Sequence, residues 1–199
     1  MQPAMSAEDY QEHVEDVLKI ATGLALSGYG EAVGQITGMA RAFRADVPLW
    51  AVHKAYRGPR GRTRLMYAAR TENVERARFL VERGAAVNEA DQIGDTALNL
   101  ACGFGCLEIV HLLVEIGGAA VNAGRTTDGS TAFMAACEYN HLEIARFLVE
   151  RGGADVNAAR TTDGMTALMW ASQGGHLETV RFLVERGGAA VNAARITDG

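Results

Sequence analysis

Gly164-Met165-Thr166-Ala167-Leu168-Met169-Trp170-Ala171-Ser172-Gln173-Gly174-Gly175-His176-Leu177-Glu178 decides how the whole chain is read, because its pattern recurs upstream at near-constant spacing. The threonine returns as Thr63, Thr96, Thr131 and Thr166, the first interval being 33 residues and the next two 35. A period of this size marks stacked supersecondary units, each of which buries its apolar face only against its neighbours. Every unit reads as a threonine, a short apolar helix, a turn, a longer helix and a closing Gly-Ala-x-Val-Asn segment that leads into a hairpin-like loop. In the third unit Leu142, Ala145, Phe147, Leu148 and Val149 form the stripe that the longer helix needs to pack on its neighbours.

This module resembles the ankyrin repeat. The resemblance covers residues 60–199, divided as 60–93, 94–128, 129–163 and 164–198, and implies an all-α solenoid of four helix-turn-helix repeats with hairpin-like loops. Two family positions are changed. The usual proline after the threonine is Arg64, Ala97, Ala132 or Ala167, and the usual histidine is Met66, Asn99, Met134 or Met169. The histidine-to-threonine hydrogen bond of the family is therefore not expected, whereas the threonine can still cap its helix and methionine can fill the slot. The second glycine of Gly117-Gly118 and an extra residue before Asp128 lengthen the period, and both recur in the later repeats.

Ahead of the repeats, residues 1–59 read as three short helices, with Gly58-Pro59 as punctuation. Asp16-Val17-Leu18, Ile20, Leu24, Leu26, Arg41, Phe43, Arg44 and Leu49-Trp50 resemble the F-box over residues 14–57. That resemblance implies docking on the adaptor of a cullin-type ubiquitin ligase, with the repeats holding the substrate. The Leu-Pro that usually opens the module is missing, and Gly34 and Gly38 fall inside the second helix, so a helical cap over the first repeat is the other reading.

Nearly half the residues are apolar and the formal charge is −5, which supplies no basic stripe for nucleic acid. The apolar run from Val17 to Leu26 follows an acidic leader and is too short for a membrane span, so a cytoplasmic or nuclear location is expected. Cys102, Cys106 and Cys137 are an odd set that suits reduced thiols. Cys102 and Cys137 share the small-residue slot of Ala69 and Ser172, and stacked helices 8–10 Å apart hold one column too widely for a single zinc. No cofactor or metal is expected. No nucleophile, base and orienting acid stand at suggestive positions, and no phosphate-cradling loop is present, so no enzyme activity is expected.

The remaining question is where a partner would bind. By position within the repeat, the ankyrin resemblance implies contacts from the residues before the threonine, Asp95, Ser130 and Met165, and from Tyr67, Arg70, Phe104, Glu138, Tyr139, Trp170 and Gln173 on the inner helices. Phe104 and Tyr139 share a column with Thr71 and Gly174, so the framework demands no ring there. Exposed aromatics of that kind are common anchors of protein interfaces. Asp-Gly turns at the loop tips predict that Arg125, Arg160 and Arg195 project as a ladder. Repeat four keeps the internal pattern where a terminal repeat needs a polar outer face, which predicts self-association or a truncated array.

Overall fold

A computed structural model describes residues 57–193, within a unit that begins at Arg57. Residues 14–56 of the F-box-like segment and Arg195 lie outside the described residues. Eight α-helices follow in four pairs: α1 (Arg64–Arg70) and α2 (Val74–Glu82), α3 (Ala97–Phe104) and α4 (Leu107–His111), α5 (Ala132–Glu138) and α6 (Leu142–Glu150), and α7 (Ala167–Gln173) and α8 (Leu177–Glu185). The second outer helix widens into a π-turn over Leu112–Ile116. Among the described residues there is no strand, only an isolated bridge between Ala159 and Thr166.

Each inner helix starts for the same local reason. Thr63, Thr96, Thr131 and Thr166 hold extended backbone at the N-cap and accept from the N–H three residues on, at Met66, Asn99, Met134 and Met169 over 3.2–3.4 Å. That satisfies one of the donors a helix start leaves open. In repeat two Asn99 does more than fill the slot: its Oδ1 accepts from the Thr96 hydroxyl at 2.6 Å and the Thr96 N–H at 3.1 Å. A side-chain bond to the threonine hydroxyl thus survives in repeat two, supplied by an amide, while in repeat one the Met66 sulfur accepts from the Thr63 N–H at 3.3 Å.

The inner helices α1, α3, α5 and α7 pack in a row, and each outer helix lies against its own inner partner. Leu65, Leu98 and Phe133 occupy one buried column, and Ala69, Cys102 and Cys137 another. Burying a side chain of the Leu or Phe class contributes about 1.5–3 kcal/mol, so this shared core is what holds the repeats together.

Two polar devices fix the register between repeats. Asn88, Asn122 and Asn157 each reach into the next repeat, donating to the carbonyl of Gly118, Gly153 or Gly188 and accepting from the N–H two residues further on, over 2.7–3.2 Å. Gly118 sits at φ +65°, a conformation that glycine reaches without strain, so the lengthened period supplies the carbonyl that the clip uses. The second device is histidine: Nε2 of His141 donates to the Gly103 carbonyl at 3.2 Å, and Nε2 of His176 to the Glu138 carbonyl at 2.8 Å. Cys106 stands at the same position in repeat two, where no such bond is made.

Candidate functional site

The exposed ends of the inner helices form the surface with the most chemistry. Phe104 ends α3, and Tyr139 is the C-cap of α5; they are 47% and 57% exposed, whereas Phe133, Phe147 and Phe182 are buried. Gly103, the residue before Phe104, carries no side chain, and a Cβ there would lie 3.9 Å from Cε2 of Tyr139. The Tyr139 ring therefore lies beside bare backbone of the preceding repeat. Glu138 is half-buried next to it, its backbone held by His176. The Tyr139 hydroxyl is pushed above its usual range, first by the charge of Glu138 and then by burial, with a hydrogen bond to Glu138 adding to the rise.

At the loop side of this surface, Arg125 grips Asp128 through two hydrogen bonds, at 3.2 and 2.6 Å, and reaches Asp95 at 3.5 Å. Asp128 also accepts from the N–H of Ser130 at 3.0 Å. Burial pushes the Asp128 carboxyl up, but the bonds from Arg125 and Ser130 outweigh it and hold it at about 2. Asp95 moves the other way. Burial raises it, and the pull of Arg125 does not offset this, in part because Asp91 adds a like charge.

This geometry corrects the expected arginine ladder. Arg125 and Arg160 fold back instead of projecting, Arg160 pairing with Asp163 at 3.2 Å and lying 5.2 Å over the Trp170 ring. The carboxylate three residues on is within reach of each guanidinium, and a bidentate or stacked pair is better for the arginine than open water. Two more expectations change. Met165 is 4% exposed and Asp95 8%, so neither offers a partner much surface; Met165 enters the core, and Asp95 serves the Arg125 pairing. Tyr67, Ser130 and Trp170 are half-buried, while Arg70 and Gln173 are exposed.

Cys102 and Cys137 are buried and unpaired, and burial raises both thiols, that of Cys137 to about 12. They are inert space-fillers in this environment. Among the described residues no group of three or more His, Cys, Asp or Glu side chains is placed to hold a metal, and no helix is long and apolar enough to cross a membrane.

Comparison with known proteins agrees with the architecture. A family model described as ankyrin repeats (3 copies) matches residues 45–125 and 116–195. The human ankyrin repeat domain-containing protein 63 is 48% identical over 77 residues, covering 35% of this chain and 20% of its own length, and the mouse protein of that name is 48% identical over 66 residues, 31% of this chain and 17% of its own. An ankyrin repeat protein of Rickettsia felis is 47% identical over 49 residues, 25% of this chain and 78% of its length. The chain thus spans about a fifth of the human and mouse relatives.

Proposed function

The chain belongs to the ankyrin-repeat family, and from that premise we propose that it is a non-catalytic interaction module whose inner-helix ends hold a protein partner. Such repeats build protein–protein interaction surfaces from a rigid row of short helices. One observation carries the placement: Phe104 and Tyr139 stand exposed in adjacent repeats, at a position where the framework accepts Thr71 and Gly174. Rings that packing does not require are the kind of side chain that dominates binding energy at interfaces. Tyr67, Arg70, Trp170 and Gln173 extend the surface to either side. Ser130, Arg125 and Arg160 belong to its supporting loops.

The test is quantitative capture by the whole chain against a Phe104→Ala/Tyr139→Ala variant, with unfolding midpoints measured on both. Proteins retained by the wild type should be depleted at least tenfold by the variant, with stability changed by less than about 0.5 kcal/mol. Equal retention would place the binding surface elsewhere.

A further inference from the structure

The column that runs along this surface reads Arg70, Gly103, Glu138 and Gln173, and its chemistry at the boundary of repeats two and three is unbalanced. Arg125, the cation there, is already shared by Asp128 and Asp95. Two carboxylates on one guanidinium leave a negative balance before Glu138 is counted. Glu138 itself makes no ion pair among the described residues, and its charge is what chiefly raises the neighbouring Tyr139 hydroxyl. Its backbone is fixed by His176, and the ring of the next residue, Tyr139, lies beside the bare backbone of Gly103, the residue before the exposed Phe104.

Resting on the interaction-module reading above, we propose that Phe104, Tyr139 and Glu138 together receive an arginine or lysine side chain from an extended segment of the partner, the rings covering its aliphatic stem and Glu138 pairing with its head. An aromatic face attracts a cation and repels an anion, and a guanidinium can satisfy a carboxylate while lying over a ring. The chain uses this pairing within itself: Arg83 lies 4.7 Å over Phe79, Arg146 5.6 Å over Phe182, and Arg160 over Trp170. At Tyr139 and Phe104 the rings and the acid are present and the cation is the missing member. The raised tyrosine hydroxyl reports the same negative field that an incoming cation would lower.

A displayed library of random linear peptides, selected on the whole immobilised chain and in parallel on Glu138→Lys, tests this. Wild-type binders should share one arginine or lysine, whose replacement by citrulline or norleucine weakens binding about tenfold, the equivalent of one charge-assisted hydrogen bond. The same replacement should change little against Glu138→Gln, and Glu138→Lys should select acidic residues at that position. Binders that are lost on Phe104→Ala or Tyr139→Ala but need no basic residue would overturn the charge assignment and leave the interaction surface standing. Binders indifferent to both ring truncations, or no binders at all, would overturn the surface and this inference together.

Discussion

Arg125 sits between two carboxylates that answer to it differently, and pH separates them. Asp128 is held at about 2, below its unfolded value near 4, so the stability it contributes is present above pH 4 and is lost as pH falls through about 2. Asp95 is raised, so ionising it costs stability as pH climbs through the unfolded value to the folded one. At neutral pH, Asp128→Asn should destabilise by on the order of 1–2 kcal/mol and Asp95→Asn by less. The gap between the two variants should narrow below pH 4 and close below about pH 2 in denaturant titrations. Thr131 makes a second residue-scale case. Its hydroxyl accepts from the Met134 N–H at 3.3 Å, and Thr131→Ala should cost about 0.5–2 kcal/mol in the same titrations. An unchanged midpoint would remove the capping argument.

Between neighbouring helix pairs, the histidine clip carries polar cross-talk that the apolar columns lack. His176 Nε2 donates to the carbonyl that ends α5, so His176→Ala should cost about 0.5–1.5 kcal/mol and raise hydrogen exchange across α7 and α8 before it does so in α3. Uniform exchange throughout the array would show that the bond does not set the docking of repeat four. The helices, their caps and the apolar stripes were legible in the sequence because each depends on residues a turn apart. Phe104 and Tyr139 were legible for another reason: comparing columns showed a ring where small residues also serve. What escaped was polar geometry across repeats. Nothing local says that Arg125 turns back onto Asp128 and Asp95, or that the residue before each threonine is buried when it is Met165 or Asp95. The asparagine clips have a sequence signal of their own, since Asn88, Asn122 and Asn157 each precede a repeat that carries the added glycine, Gly118, Gly153 or Gly188.

Across the described array, one valine position differs sharply between repeats three and four. Val156 is 9% exposed and Val191, the same residue one repeat later, is 66%. Leu177 and Val184 of α8 are also exposed, and Ser172 lies in the open where its counterparts Ala69, Cys102 and Cys137 are buried. In a quasi-one-dimensional stack each interface adds a nearest-neighbour contribution, so a valine covered by the next repeat should matter and an uncovered one should not. Val156→Ala should destabilise by about 1–2.5 kcal/mol, while Val191→Ala should stay within about 0.5 kcal/mol. Leu177 and Val184 leave an apolar face on α8 through which repeat four can meet a second copy. Sedimentation over a concentration series should show a rising coefficient for the wild type and a constant one for Leu177→Gln/Val184→Gln at equal stability. A wild type that sediments as a concentration-independent monomer would remove that expectation while leaving the contrast between the two valines intact.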